Sequence, residues 1–298
     1  MASIKLKDRI KQGVFFLDGA MGTQLAARGV EVGHCNDYQN VESADIVEAI
    51  HRAYFDAGSD AVLTNTFGAN KYTLARHNLA DKVFEINKAG AQVARKAAGD
   101  EKYVLGDIGP TGDFLEPLGL LKPDELKDAF AEQTKALEAG GVDGFIIETM
   151  TAIEEIVVAI EAVKSVSTLP IFASMSYDKA GDDFRTMMGV SPEVAIAKIV
   201  ELGVDVVGFN CGKMSLDDYR SLAKKYASVV RQLNSDVTLL AEVNAGLPEL
   251  VDDQAVYNVT GQEFAQALKD INETGFNILG GCCGTDPELI KAAADLLK

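Results

Sequence analysis

The chain has 298 residues, with 28 Lys+Arg against 45 Asp+Glu and a formal net charge of −17. That acidity repels phosphate backbones and anionic lipid, so neither a nucleic-acid nor a membrane partner is expected. Four cysteines are too few for a disulfide scaffold, and no apolar run reaches the roughly 18 residues of a membrane span. The N-terminus carries charge without an apolar signal core. The expectation is a soluble, reduced, cytoplasmic protein.

Along the chain, short apolar runs at 14–17, 61–64, 103–105, 144–147, 170–174, 206–209, 238–242 and 276–279 show little polar alternation. Such runs predict strands covered on both faces, as in a parallel sheet. Amphipathic segments at 44–57, 82–98, 123–139, 153–166, 192–202, 216–233 and 261–272 lie between them, and 287–297 follows the last run. Ser43, Ser191 and Asp286 stand as polar caps before first turns. The phrases Gly58-Ser59-Asp60, Gly141-Val142-Asp143 and Gly203-Val204-Asp205 each stop a helix with glycine and enter the next strand. Eight strand–helix units with no break in composition predict one α/β domain over 1–298, a single (β/α)8 TIM barrel. A doubly wound sheet usually has fewer units and leaves edges open.

Chemistry in such a barrel sits at the C-terminal ends of the strands. Those positions read Asp18-Gly19-Ala20-Met21-Gly22-Thr23, Thr64 to Gly68, Asp107 to Gly112, Glu148-Thr149, Ser174 to Ser176, Asn210-Cys211-Gly212, Glu242-Val243-Asn244 and Gly280-Gly281-Cys282-Cys283-Gly284-Thr285. Cys211, Cys282 and Cys283 thus fall at the ends of strands six and eight, both facing one cavity. Three thiolates suit a borderline-soft metal, zinc first, and leave a fourth position open as catalytic sites do. The glycines around the Cys282–Cys283 pair are expected to supply the irregular backbone that turns both sulfurs toward one ion. An open zinc position would bind a substrate thiol as thiolate and present it to an electrophilic carbon. Cys35, beside His34, has no such cluster around it and reads as incidental. The pairs Phe15-Phe16 and Met187-Met188 read as core filling or loop anchors, and 178–185 as a solvated loop long enough to act as a lid.

The Gly280–Thr285 segment, the Asn210-Cys211 pair and the opening Asp18–Thr23 together resemble the homocysteine S-methyltransferase family over essentially the whole chain. The resemblance implies zinc, Zn(2+), on Cys211, Cys282 and Cys283. Asn244-Ala245-Gly246-Leu247-Pro248 is most similar to the homocysteine-binding module of cobalamin-dependent methionine synthase, which puts Asn244 in the fourth zinc position until substrate displaces it. By the same likeness Asp18 and Glu148 receive the homocysteine ammonium, and the turn Ala20, Met21, Gly22, Thr23 receives its carboxylate. No pterin-binding half and no Asp-x-His-x-x-Gly cobalamin segment is present in the sequence. The expected methyl donor is therefore methylcobalamin or a methylated corrinoid protein supplied as a separate component, with a sulfonium such as S-methylmethionine as the alternative. Two rival readings remain. One is a phosphate-binding barrel lyase using the glycine-rich loop before Asp286-Pro287. The other is a non-catalytic zinc-holding subunit of a methyl-transfer complex.

Overall fold

Eight parallel strands form the centre of the computed structural model, which describes residues 4–31, 33–251 and 254–298. They are β1 (Phe15–Phe16), β2 (Ala61–Leu63), β3 (Tyr103–Ile108), β4 (Gly144–Met150), β5 (Ile171–Met175), β6 (Val206–Asn210), β7 (Thr238–Val243) and β8 (Ile278–Gly281). Each pairs with its neighbour in sequence from β2 to β8, and β8 pairs back to β1. The helices α1 (Ala44–Asp56), α2 (Val83–Ala98), α3 (Pro123–Gly140), α4 (Ile153–Val166), α5 (Pro192–Glu201), α6 (Leu216–Gln232), α7 (Gly261–Asn272) and α8 (Pro287–Leu297) surround them. This is the (β/α)8 barrel that the alternating pattern predicts.

The recurrent Gly-x-Asp phrase has a structural purpose beyond stopping helices. Asp60 accepts from Phe16 N–H at 2.8 Å, while its own N–H donates to Phe16 O at 2.7 Å. Asp143 repeats both bonds with Val104, at 2.8 and 2.8 Å, and Asp205 repeats them with Ile171, at 3.1 and 3.0 Å. The three aspartates stitch β1 to β2, β3 to β4 and β5 to β6 at the N-terminal end. The Asp60 stitch bridges the one place where the barrel strands share no ladder. Each stitch also holds cations: Arg9 and Lys298 on Asp60, Arg95 on Asp143, and Lys7 on Asp205.

Inside the barrel, the period of two along each strand sorts residues into layers. Phe15, Leu17, Tyr103, Leu105, Ile146, Phe172, Val206, Leu240 and Ile278 pack into one buried apolar cluster. Leu6 and Ile10, from a short helix at Leu6–Arg9, close its lower end. Residues two positions further along β3, β4 and β7 are Asp107, Glu148 and Glu242, so the apolar plug is roofed by carboxylates. Gly208 and Gly280 occupy the matching positions on β6 and β8. A Cβ at Gly208 would come within 2.3 Å of Leu240 O.

Several local expectations change. The stretch 178–185 is a hairpin, Asp178–Ala180 with Asp183–Arg185, tied down by Lys213 N–H donating to Asp178 at 2.6 Å. A second hairpin, Glu249–Val251 with Gln254–Val256, follows β7. Phe15 and Phe16 are buried as expected, but Met187 is 69% exposed and fills no core. The segment Ala20–Thr23 is not a turn: Met21 begins a seven-residue helix, Met21–Ala27. No described helix is long and apolar enough to cross a membrane.

Candidate active site

At the C-terminal mouth the three strand-end cysteines meet. The sulfurs of Cys211, Cys282 and Cys283 all lie within 4.8 Å of one another, and Cys211 Sγ is 3.7 Å from Cys283 Sγ. Thiolates bonded to a tetrahedral zinc at about 2.3 Å would stand about 3.8 Å apart. The trio therefore fits the ion in donor type and spacing, and it is the only such cluster among the described residues. Without a metal, hydrogen bonds from Cys211 and Cys282 pull the Cys283 thiol down to about 3, while Cys282 is pushed well up by its sulfur neighbours. One thiol of the three therefore ionises readily, while Cys282 and Cys211 are both shifted up and would need a cation's charge to lose their protons.

The backbone that aims these sulfurs matches the expectation at Gly284 and differs at Gly280 and Gly281. Gly280 and Gly281 are regular strand residues, whereas the left-handed conformations fall on Cys211 (φ 54°), Gly212 (φ 88°) and Gly284 (φ 77°). Gly281 is needed for space, because an added Cβ would lie 2.4 Å from Thr285 Oγ1. Gly284 lies under the ring of Tyr257, 2.2 Å from where a Cβ would sit. A non-glycine residue held at positive φ is costly and concentrates at functional sites. Thr149 (φ 58°) on the β4 end joins Cys211 in this respect.

Asn210 and Asn244 fix these loops. Asn210 is fully buried, and its Oδ1 accepts from Thr149 N–H at 2.8 Å and from Ser174 Oγ at 2.7 Å. Its Nδ2 donates to Glu148 Oε2 and to Thr149 Oγ1, both at 2.7 Å. One amide thereby spends all four hydrogen-bonding positions on orienting Glu148 and the strained Thr149. Asn244 joins the two cysteine loops, its Nδ2 donating to Gly212 O at 2.8 Å and its Oδ1 accepting from Cys283 N–H at 3.0 Å. Sequence reasoning singled out Asn244 but missed Asn210 as a clamp, because its partners come from two other strands, β4 and β5.

Beside the sulfurs opens a cavity of about 670 Å³ lined by Asp18, Ala20, Met21, Gly22, Thr23, Asp107, Glu148, Glu242 and all three cysteines. Every substrate residue expected from the sequence is brought to this one wall. Asp18 accepts from Leu63 N–H at 3.1 Å. Ala20 N–H is already committed to Thr285 Oγ1 at 3.1 Å, so of that segment Met21, Gly22 and Thr23 retain unclaimed donors at the helix start. No Lys or Arg lines the cavity among the described residues. Burial raises the carboxyls first: Glu148 goes to about 8, helped by the nearby Cys211, and Asp18, Asp107 and Glu242 are well up, with repulsion from neighbouring carboxylates adding to burial. A pocket of this kind favours a cationic guest. Asp107 and Glu242 carried no role in the sequence reading, although the two-residue period from Leu105 and Leu240 points both into the barrel.

Fold and site together define a (β/α)8 enzyme whose mouth joins a trio of thiols to an acidic pocket. Residues 15–297 match the family model described as homocysteine S-methyltransferase, and the chain belongs to that family of methyltransferases. It is 33% identical to methionine synthases from Mycobacterium tuberculosis and from Mycobacterium leprae over 311 aligned positions. Those alignments cover 97% of this chain but only 25% of each relative, so the chain spans about a quarter of their length. Among solved structures, the homocysteine methyltransferase MmuM from Escherichia coli in its metallated form superposes with a TM-score of 0.77 at 22% identity, covering 96% of both chains. The carboxyl transferase domain of Rhizobium etli pyruvate carboxylase shares the fold at a TM-score of 0.54 and 13% identity, covering 97% of this chain and 48% of that one. Both likenesses concern the barrel itself.

Proposed function

We propose that the protein is a zinc-dependent S-methyltransferase that takes homocysteine as thiolate and converts it to methionine. The observation that carries this reading is the sulfur trio at the barrel mouth, spaced for one tetrahedral ion and opening onto a pocket that has carboxylates and neither Lys nor Arg among the described residues. Cys211, Cys282 and Cys283 would hold the zinc, which when bound would lower the pKa of a substrate thiol so that it is ionised at neutral pH.

The remaining work falls to the chain's own groups. Asp18 and Glu148 draw the substrate ammonium to the pocket, Glu148 being held in place by Asn210. Free N–H groups at Met21, Gly22 and Thr23 face the substrate carboxylate. Asn244 keeps the Cys211 and Cys283 loops together, and its Oδ1 would be the group that holds the zinc's open position until substrate displaces it. The sulfur then attacks the donor methyl in line, forming the S–CH3 bond as the donor's bond to that carbon breaks. Methionine, a neutral thioether at sulfur, leaves more easily than the thiolate.

The proposed donor is methylcobalamin or a methylated corrinoid protein provided by a separate component. The 33% identity to methionine synthases supports a corrinoid donor, together with the likeness of Asn244–Pro248 to the cobalamin-dependent enzymes. A sulfonium donor is the second reading, favoured by the full-length match to a barrel-only homocysteine methyltransferase. The test is to give zinc-supplemented protein homocysteine with methylcobalamin, or with S-methylmethionine, and to measure methionine by mass spectrometry. Methionine from methylcobalamin is the expected result. Methionine from S-methylmethionine alone would move the donor to the sulfonium class, and none from either, or from a methylated corrinoid protein, would contradict the reading.

A further inference from the structure

Five carboxylates line the cavity, yet the substrate brings one positive charge. Asp37 is held by Gly68 N–H at 2.9 Å, and the two groups already assigned to the ammonium are partly engaged. Asp18 has Leu63 N–H on one oxygen, and Glu148 has Asn210 Nδ2 on one of its own. Asp107 and Glu242 differ. They are 5% and 2% exposed, they line the same cavity, and Asp107 Oδ1 and Glu242 Oε2 have no hydrogen-bond donor at all. A buried carboxylate oxygen without a donor is expensive, so a pair of them on one pocket marks a place where a donor arrives from outside.

The guest is not a bare metal ion. Among the described residues, only the three cysteines come close enough together to share one, so the carboxylates are spread more widely than an ion's coordination shell. A group with several N–H donors pointing in different directions fits that spacing. The register fixes its position relative to sulfur chemistry. Glu242 pairs across β7 with Asn210 on one side and Gly280 on the other, which precede Cys211 by one residue and Cys282 by two. Its side chain therefore lies one layer below the thiols. Gly280 leaves room for it: a Cβ there would come within 3.1 Å of Glu242 Cγ.

We infer that Glu242, with Asp107, receives the substrate's ammonium on the cavity floor and so sets which amino thiols reach the cysteines. This rests on the thiol-methyltransferase reading above and adds a specificity residue to it. A thiol of the same length without the amino group should gain nothing from Glu242.

The experiment uses the zinc-loaded protein and calorimetric binding of two probes, homocysteine and 4-mercaptobutanoate, which lacks the ammonium. Wild type should prefer homocysteine by roughly tenfold or more, and Glu242→Gln should lose most of that preference. Binding of 4-mercaptobutanoate should stay within about twofold, the size of a minor contact change. Asp107→Asn, on another strand, should act in the same direction. Equal weakening of both probes, or no change in homocysteine binding by either variant, would overturn the assignment. Zinc content and melting temperature, measured alongside, separate a folding defect from lost recognition, and in that case Asp107→Asn alone decides. Wild-type protein that holds zinc and ignores homocysteine would instead remove the acceptor reading underneath.

Discussion

The two ends of the barrel use acidic residues in opposite ways. At the N-terminal end, Asp60, Asp143 and Asp205 each accept a backbone N–H from the preceding strand and each pair with Lys or Arg. At the C-terminal end, Asp18, Asp107, Glu148 and Glu242 line a cavity with no Lys or Arg among the described residues, and two of their oxygens have no donor. The lower set is complete as it stands and holds strands together. The upper set is incomplete, which costs stability and leaves binding energy available to a cationic ligand. Charge count alone would not distinguish them, but partner count does.

The sharpest way to break this contrast is at the sulfurs. Cys282→Ser should lower methionine formation by at least about a hundredfold, because it removes a ligand rather than a ligand's support. The melting temperature should move by no more than a few degrees. A variant that lost its fold instead would make the mouth structural. The converse holds for Asp143→Ala, which deprives Val104 N–H of its acceptor and Arg95 of its ion-pair partner. Chemical denaturation should show a loss of about 1–3 kcal/mol, with kcat/KM for homocysteine unchanged.

A third comparison uses pH. The Glu148 carboxyl is pushed up to about 8 by burial and by the nearby Cys211, so the fold favours its protonated form. Its stabilising contribution is complete below its ordinary value of 4.5 and is lost as pH rises toward about 8. Metal-free wild type should thus lose urea resistance over that range, and Glu148→Gln should flatten the slope. The smallest effect concerns His51 on α1, fully buried, without a partner on either nitrogen, and pushed down to about 3 by burial. For a base with a depressed value the sign reverses: stability is complete above its ordinary 6.5 and falls as pH drops toward 3. A His51→Leu variant should remove that acid-side loss, as read from melting curves between about pH 7 and pH 5.

Much of the fold was legible because apolar runs alternate with amphipathic segments throughout, and three of the units repeat one local code, a glycine stop and an aspartate at the next strand's threshold. The aspartates were visible as a repeat, but their function was not, since the group each one binds lies in the strand before. The cysteines were legible because barrel topology alone brings the ends of β6 and β8 together. Glu242 and Asp107 were missed for a simpler reason. Ending the third strand at 105 rather than at Ile108 left Asp107 in a loop, where its direction carried no meaning. Carrying the two-residue period one step past Leu105 and Leu240 would have turned both inward. Asn210 was harder, because Glu148, Thr149 and Ser174 are its partners only once three strands are in register.

The central claim is that the three cysteines hold one zinc ion for thiol activation. Metal analysis of protein purified anaerobically with a thiol reductant tests it most directly, with Cys211→Ser, Cys282→Ser and Cys283→Ser measured beside the native chain. The account predicts about one zinc per native chain, the stoichiometry of a three-cysteine catalytic site, and its loss or marked weakening in all three variants. Native protein that takes up no zinc after reduction and resupply, or variants that keep it in full, would contradict it.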